Sequence, residues 1–187
     1  MSVRITGGEH RGRRLRSYRG GDLRPTSDRV RGAIFSILGL DAVEGVRALD
    51  LYSGTGALGI EALSRGADWV DFVEANARRC QQIRESLSEL SLENQGKVYR
   101  ARVENILDSL PGAYGLIFAD PPYDTAPWAS LMDELSRHSL IKQNGVVVVE
   151  HRYGTALAER YGELLQVSSR RYGDTSVSFY KVGVTNG

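Results

Sequence analysis

Apolar runs with a strand pattern alternate with helix-like segments through most of the chain, and this alternation limits the possible folds more than any other feature. Five such runs occur, at residues 46–51, 69–74, 97–102, 114–119 and 146–150. Helical spacing of apolar residues predicts helices at residues 57–63, 76–92, 104–110 and 128–140. Alternation of this kind implies right-handed βαβ crossovers, so we predict an α/β, Rossmann-like fold with a mostly parallel sheet and helices on both faces.

The carboxyl-terminal part of the chain departs from this alternation. Residues 164–171 and 177–184 both carry strand patterns, and the short segment 172–175 between them is rich in turn-forming residues. This arrangement predicts an antiparallel hairpin at one end of the sheet. Together with the five strands above, the hairpin brings the expected sheet to seven strands.

The amino-terminal region predicts a separate basic β-hairpin. Residues 3–5 and 13–15 flank a turn-rich segment that contains three glycines. We expect residues 1–25 to form this N-terminal arm and residues 26–187 to form the main domain. The main domain opens with a helix that Thr26 or Ser27 can cap, and its predicted apolar face consists of Val30, Ile34, Ile37 and Leu38.

A glycine-rich turn follows the first strand of the main domain. The segment Asp50-Leu51-Tyr52-Ser53-Gly54-Thr55-Gly56 joins an apolar run to a helix. Glycines at such a turn let the backbone bend sharply and approach a ligand closely. Glu74 ends the second strand twenty residues after Gly54, where an acid can bond the ribose hydroxyls of a nucleoside cofactor.

Two cofactor classes fit this turn. Gly54, Gly56 and Gly59 satisfy the spacing G-x-G-x-x-G, so a dinucleotide such as NAD remains possible from this motif alone. In dinucleotide-binding folds, however, the glycines usually follow the strand directly. Here Asp50 stands four residues before Gly54, where its carboxylate could reach the methionyl end of a cofactor without a pyrophosphate. This placement favours S-adenosylmethionine.

The segment Asp120-Pro121-Pro122-Tyr123 follows another apolar run and therefore falls at the carboxyl edge of the predicted sheet, where ligands bind in open α/β folds. The prolines fix the backbone and lack N–H groups, so carbonyls beside Asp120 are free to accept hydrogen bonds. A carboxylate and a carbonyl could hold both protons of an exocyclic amine and stabilise the charge that develops during methyl transfer. The ring of Tyr123 could stack on the base. The two motifs together indicate a methyltransferase that acts on a nucleobase.

Length and composition set broader limits. A chain of 187 residues fits one domain with a sizeable core. The sequence has no run of eighteen apolar residues, no signal-peptide pattern, and a single cysteine, Cys80, which has no partner for an internal disulfide. We therefore expect a cytoplasmic protein without a membrane segment, and a monomer. The three histidines, His10, His138 and His151, lack metal-ligand spacing, so no metal site is predicted.

The positive charge of the chain is concentrated near the amino terminus. Residues 1–31 contain nine arginines and three acidic residues, a net charge of +6, whereas the remainder carries −5. Arginine suits phosphate groups and base stacking better than lysine does. This distribution indicates a polyanionic substrate that the N-terminal arm would hold. The arginines to which we assign RNA contacts are Arg11, Arg13, Arg14, Arg24 and Arg29.

With these motifs in hand, the chain resembles the RsmD family, bacterial methyltransferases of a guanine exocyclic amine in small-subunit (16S) ribosomal RNA. The resemblance covers nearly the whole chain. Its most particular parts are the arginine-rich opening and the Arg-Pro-Thr segment, because Asp-Pro-Pro-Tyr is shared with adenine amino-methyltransferases. The matching segments are Arg4–Gly8, Arg11–Arg13, Arg24–Arg31, the glycine turn continued to Gly66, Asp120–Tyr123 and Arg171–Thr175.

The resemblance implies a class I methyltransferase domain and a role for each matching residue. Asp50, Gly54 and Gly56 would line the methionyl and ribose side of S-adenosylmethionine, Glu74 would bond the ribose hydroxyls, and Val103 would flank the adenine. Asp120 and Pro121 would hold the target amine, Asp120 would also contact the cofactor, and Tyr123 would stack on the guanine. One position departs from the family pattern: Gly32 stands where such proteins commonly have glutamate, so no role is carried over to it.

Three other functions stay open on the sequence alone. The Asp-Pro-Pro-Tyr segment would equally permit methylation of adenine in DNA, although the chain has little room for a sequence-reading domain beyond the N-terminal arm. A non-catalytic RNA-binding assembly factor is possible, but such a protein would not need Asp50, Glu74, Asp120 and Tyr123 together. A nicotinamide-dependent enzyme is the remaining alternative at the level of the fold.

Overall fold

The computed structural model describes residues 3–15, 26–122, 128–137 and 140–183. Within these ranges the helices are α1 (Asp28–Leu38), α2 (Ala57–Ser64), α3 (Ala77–Glu89) and α4 (Trp128–Arg137). The strands are β1 (Arg47–Leu51), β2 (Trp69–Glu74), β3 (Gly96–Arg100), β4 (Tyr114–Ala119), β5 (Ile141–Arg152), β6 (Arg160–Tyr161), β7 (Leu164–Tyr172) and β8 (Thr175–Val182). No helix among the described residues is long and apolar enough to cross a membrane.

These strands form one sheet in the order β3-β2-β1-β4-β5-β8-β7-β6. The neighbours from β3 to β5 pair in parallel, and β8, β7 and β6 continue the sheet in antiparallel pairing. The predicted parallel sheet with an antiparallel end is therefore confirmed. The sheet has eight described strands rather than seven because the two-residue β6 pairs with β7, and two residues are too few to show any alternation in the sequence.

A separate hydrophobic core lies on each face of the sheet. One face packs α1, α2, α3 and the apolar residues of the N-terminal arm against strand residues such as Phe72 and Phe118. The other face packs α4 against strand residues such as Ile117 and Val149. Successive strand residues alternate between the two cores. The last side chain of a strand therefore lies on the face opposite to that of the residue before it.

Two helical predictions needed correction. Ser27 caps α1 by accepting a hydrogen bond from the N–H of Val30, but the buried face of the helix contains Arg31 and Phe35, and Ile37 is 41% exposed. Residues 104–110 do not form an α-helix; two short 3₁₀ turns, Val103–Asn105 and Leu107–Ser109, replace it. Their apolar side chains are buried. The spacing of apolar residues therefore predicted the buried positions correctly but predicted an α-helix where the chain forms 3₁₀ turns.

The described part of the N-terminal arm is a short hairpin, as predicted. The N–H of Ile5 donates to the carbonyl of Arg13, the N–H of Leu15 donates to the carbonyl of Val3, and Arg4 and Arg14 form an antiparallel bridge. Val3, Ile5 and Leu15 are buried in the same core as α1 and α2. The hairpin is therefore packed onto the main domain through its apolar side chains.

Candidate active site

Four carboxylates end four neighbouring strands and form a row along the carboxyl edge of the sheet. Asp50 lies near the end of β1, Glu74 ends β2, Asp120 follows β4, and Glu150 lies near the end of β5. The residue before each of them belongs to the core on the α4 side, so alternation directs all four side chains towards the α1–α2 side. We call these residues the acidic row. The strand order reverses between β1 and β4, where ligands bind in open α/β sheets.

The glycine turn is held in place by two members of the acidic row. The N–H of Gly54 donates to Oε2 of Glu74 at 2.9 Å, and the N–H of Gly59 donates to Oδ2 of Asp50 at 2.9 Å. Oε1 of Glu74 accepts a further hydrogen bond from the N–H of Asn76 at 2.7 Å. The two acids therefore position the backbone that the sequence assigned to a cofactor, in addition to any contact with the cofactor itself.

The backbone of this turn adopts conformations that favour glycine. Gly54 has φ 56° and Gly56 has φ 73°, both in the left-handed region. Tyr52 also has a positive φ, 56°, although it carries a side chain. Its hydroxyl donates to Oε1 of Glu104 at 3.0 Å, which ties the turn to the segment after β3. Strained backbone of this kind is concentrated at ligand-binding sites.

Burial changes the acidity of two carboxyl groups in the acidic row. Removal from water raises the pKa of Asp50 to about 8; the Glu74 carboxylate adds to this rise, and the N–H of Gly59 opposes it. Desolvation also raises the pKa of Asp120 well above its ordinary range, with further increases from Glu150 and Asp50. Burial therefore favours the neutral acids in the free protein, and a cationic ligand would lower these pKa values and favour the ionised forms.

Asp120 is hydrogen-bonded to the residue that precedes the cap of α1. The hydroxyl oxygen of Thr26 lies 3.3 Å from Oδ2 of Asp120 and 2.7 Å from Oε2 of Glu150. Thr26 was predicted only as a possible helix cap, a role that Ser27 takes, and Glu150 was given no role. The signal for Glu150 was present in the sequence, because it ends the fifth apolar run as Glu74 ends the second.

The other predicted site residues differ in how they relate to this edge. Pro121 is buried directly after Asp120. Val103 begins a 3₁₀ turn shortly after β3, and its side chain is buried in the core on the α4 side. Tyr123 and Arg24 lie outside the described residues. The structure thus brings together Asp50, Gly54, Gly56, Glu74, Asp120 and Pro121.

The tip of the N-terminal arm lies away from the acidic row. An added β-carbon at Gly8 would overlap the carbonyl of Ser64, the last residue of α2, and Nη2 of Arg13 donates to the carbonyl of Glu89 at the end of α3. Both helices begin at the carboxyl edge, so the tip sits about 12 Å from it, the length of α2. Arg11, Arg13 and Arg14 are exposed there, whereas exposed Arg29 lies in the first turn of α1.

Arg31 is a fully buried arginine that the charge pattern did not separate from the exposed ones. Its guanidinium donates to the carbonyls of Thr26 and Arg4 and to the carboxylates of Asp28 and Glu61. Glu61 in turn accepts from the N–H and the hydroxyl of Thr6 at 2.8 and 2.7 Å. This buried network joins the N-terminal arm, α1 and α2. If position 31 had been included in the predicted inner face of α1, the helical spacing would have predicted that Arg31 is buried.

Two smaller observations complete the site. A β-carbon at Gly32 would meet only the hydroxyl oxygen of Thr6 at 3.7 Å, an ordinary contact, so space does not require glycine there. Among the described residues, no group of three or more histidine, cysteine, aspartate or glutamate side chains is arranged to hold a metal ion.

Comparison with known proteins places these features in a family. A family model described as "Conserved hypothetical protein 95" matches residues 3–181. A Bacillus subtilis (strain 168) protein named "Putative rRNA methyltransferase YlbH" is 35% identical over 183 residues, 96% of this chain and 98% of that protein. Ribosomal RNA small subunit methyltransferase D of Escherichia coli (strain K12) is 32% identical over 148 residues, 79% of this chain and 74% of that protein.

A solved structure gives the same result for the fold. "Putative methyltransferase yhhF from Escherichia coli" superposes with a TM-score of 0.84 at 27% identity and covers 98% of this chain and 99% of that one. The parallel sheet, the glycine turn and the acidic carboxyl edge define a class I methyltransferase, a class that takes its methyl group from S-adenosylmethionine. The chain belongs to the family of ribosomal RNA small subunit methyltransferase D, which confirms the resemblance to the RsmD family.

Proposed function

We propose that this enzyme transfers a methyl group from S-adenosylmethionine to the exocyclic N2 amine of a guanine in small-subunit (16S) ribosomal RNA. The observation that carries the proposal is the position of Asp120, which follows β4 beside the reversal of strand order and precedes two prolines. The named relative from Escherichia coli acts on small-subunit ribosomal RNA, which supports the same substrate class here.

The residues of the glycine turn suit S-adenosylmethionine. Each oxygen of Glu74 accepts one backbone N–H and keeps a further lone pair for a ribose hydroxyl. Asp50 would face the methionyl end, Gly54 and Gly56 would let the backbone approach the cofactor, and Val103 would flank the adenine. When bound, the cofactor supplies an electrophilic methyl group on a sulfonium, whose positive charge matches the acidic row.

Asp120 and Pro121 would prepare the target amine. An exocyclic amine is a poor nucleophile because its lone pair is delocalised into the ring. The Asp120 carboxylate and the Pro121 carbonyl would each accept one amine hydrogen, which turns the lone pair towards the methyl group and stabilises the charge that develops on nitrogen. After transfer, the nitrogen carries one proton in excess. The Asp120 carboxylate is the nearest base in this arrangement and would accept that proton.

The target base must leave its stack before it can reach Asp120. The amine of a stacked and paired guanine is inaccessible to a sulfonium aligned for in-line transfer, so the enzyme would extrude the base or capture an unpaired one. Tyr123 follows Pro122 in sequence and would stack on the extruded guanine.

The N-terminal arm would extend the RNA contact well beyond the target base. We assign RNA phosphate contacts to Arg11, Arg13, Arg14, Arg24 and Arg29, with residues 1–25 as the arm of a methyltransferase domain at 26–187. Because the tip of the arm is about one helix length from the carboxyl edge, a bound RNA would run along the α1–α3 side. We infer a cytoplasmic monomer that binds naked ribosomal RNA or a small-subunit assembly particle.

Methyl transfer from labelled S-adenosylmethionine tests this function. RNA that lacks its own methylation serves as substrate, adenine-containing DNA as the competing substrate, and the product is hydrolysed to nucleosides. We expect N2-methylguanosine from small-subunit RNA only. Methyladenine from DNA at a comparable rate would contradict the RNA substrate and leave the cofactor chemistry standing. Tight binding of both cofactor and RNA without any transfer would instead favour a non-catalytic assembly factor.

A matched pair of variants tests the role of Tyr123. The Tyr123→Phe variant keeps an aromatic face, whereas Tyr123→Ala removes a stacking platform worth about 1–3 kcal/mol per base. We expect the phenylalanine variant to keep most of its activity and the alanine variant to lose most of it, with methylated guanine as the product of both. Equal activity of the two variants would remove Tyr123 from the base pocket.

A further inference from the structure

The hydroxyl group of Thr26 lies between two carboxyl groups, and it has only one hydrogen to donate. Its oxygen is 2.7 Å from Oε2 of Glu150 and 3.3 Å from Oδ2 of Asp120, both within hydrogen-bonding distance. A hydroxyl donates one hydrogen bond and accepts others. Both contacts are therefore hydrogen bonds only if one carboxyl group is protonated and donates to the hydroxyl oxygen.

Thr26 and Glu150 are enclosed by protein. Their residues are 6% and 5% exposed, so water does not readily replace either partner. The backbone of Thr26 is also fixed, because Nη1 of the buried Arg31 donates to its carbonyl at 3.1 Å. The hydroxyl is thus held near Asp120 by a residue just before the cap of α1, and a buried polar contact of this kind is costly to leave incomplete.

We propose, on the basis of the function proposed above, that Thr26 and Glu150 are positioning residues for Asp120. The two carboxyl groups share one proton through the oxygen of Thr26, and Asp120 is the ionised member when Glu150 holds that proton. Thr26 then donates its own hydrogen to Oδ2 of Asp120. In that state the hydrogen bond from Thr26 favours the ionised form of Asp120 and fixes the direction of its carboxylate. Oδ1 remains available to accept a hydrogen from the target amine.

The arrangement also connects the catalytic edge to the substrate-binding side of the molecule. Thr26 directly precedes the cap of α1, and Arg31 bonds both Thr26 and the carbonyl of Arg4 in the N-terminal arm. The described groups whose charges raise the pKa of Asp120 are Glu150 from β5 and Asp50 from β1, whereas Arg31 contacts this cluster through the carbonyl of Thr26. A change at Glu150 therefore acts on Asp120 both through its charge and through Thr26.

Two pairs of variants separate this role from simple packing. The Glu150→Gln side chain can donate to Thr26 as the protonated acid would, whereas Glu150→Ala cannot. Likewise, Thr26→Ser keeps the hydroxyl and Thr26→Val keeps only the shape. We expect glutamine and serine to hold kcat within about threefold of wild type, and alanine and valine to lower it roughly tenfold or more, the value of one hydrogen bond. Cofactor affinity should change by only a few-fold in all four.

The dependence on pH gives a second measurement. The Glu150 charge contributes to the raised pKa of Asp120. In a plot of kcat against pH, Glu150→Gln should therefore move the acidic side of the profile to lower pH. In the free protein, the same change should raise the melting temperature at pH 8 more than at pH 5, because it removes the Glu150 charge that raises the pKa of Asp120. This second readout does not depend on catalysis.

The outcomes distinguish this inference from the proposed function. Wild-type kcat in Thr26→Val, equal loss in Glu150→Gln and Glu150→Ala, or an unchanged acidic side of the pH profile in Glu150→Gln would overturn the positioning role. If the wild-type enzyme methylated a nucleic acid other than small-subunit RNA, the proposed substrate would fail. The same four variants, compared on that other substrate, would still decide the roles of Thr26 and Glu150.

Discussion

The acidic row and the N-terminal arm carry opposite charges and differ in how water surrounds them. The acidic row is mostly enclosed by protein; Asp50 is 2% exposed, and burial has raised its pKa to about 8. In the arm, Arg11, Arg13 and Arg14 are exposed. Charges in water are screened and act over long distances only at low salt, whereas buried charges act strongly on their neighbours. The comparison therefore predicts large, local effects at the acidic row and smaller, salt-dependent effects at the arm.

The largest effect should come from Asp120→Ala. The variant should lower turnover roughly a hundredfold or more and change cofactor affinity by only a few-fold, because Asp120 acts on the amine mainly in the transition state. Single-turnover transfer and calorimetry with S-adenosylhomocysteine measure the two quantities separately. Turnover close to that of the wild type would remove Asp120 from the proposed chemistry.

Glu74→Ala should mainly weaken cofactor binding. We expect a loss of about 1.5–3 kcal/mol, the value of hydrogen bonds to a charged group, with a smaller effect on transfer at saturating cofactor. Because Glu74 also accepts the N–H of Gly54, part of the loss would come from the glycine turn. Glu74→Gln is the matched control, since its amide oxygen can still accept that N–H. Unaltered cofactor affinity in both variants would exclude the ribose contact.

Combined replacement of Arg11, Arg13 and Arg14 by alanine should weaken RNA binding and flatten its dependence on salt. Each lost phosphate contact removes about 0.7–0.9 from the slope of log affinity against log salt. Cofactor affinity should not change. The control variant replaces Lys142, Arg160 and Lys181, exposed basic residues on the antiparallel side of the sheet, by alanine. An equal change of the salt dependence in the control variant would show a general effect of charge rather than specific contacts between the N-terminal arm and RNA.

The last predicted effect is on the stability of the free protein as a function of pH. The folded-state pKa of Asp50, about 8, lies above its unfolded value of about 3.9, so its contribution to stability is present at low pH and is lost as pH rises towards 8. Asp50→Asn should therefore make the fall in melting temperature between pH 5 and pH 8 less steep. Asp120 acts in the same direction, so some slope should remain. The control is Asp41→Asn, a change at an exposed residue. If the melting temperature of Asp50→Asn depended on pH as steeply as that of the wild type, the raised pKa of Asp50 would be contradicted.

Much of the fold and of the site followed from local pattern. Alternating apolar runs predicted the parallel sheet, and the residues that end those runs predicted Asp50, Glu74 and Asp120 at one edge. This worked because parallel strands place their carboxyl ends together, so position along the chain becomes position in space. The short β6 and the 3₁₀ turns after β3 were missed or misassigned because segments of two or three residues carry too little periodicity.

Tertiary structure alone decided which polar residues meet across the chain. The contact between Thr26 and Glu150 joins residues 124 positions apart, and no local spacing encodes it. The same holds for Arg31, which belongs to an arginine-rich segment by composition but is fully buried against Glu61. Packing determines whether a charged side chain reaches water or a partner, and this depends on how α1, α2 and the arm come together. The sequence thus determined the class of chemistry and the edge where it occurs, whereas the folded structure decided which side chains hold Asp120 in place and which arginines remain exposed.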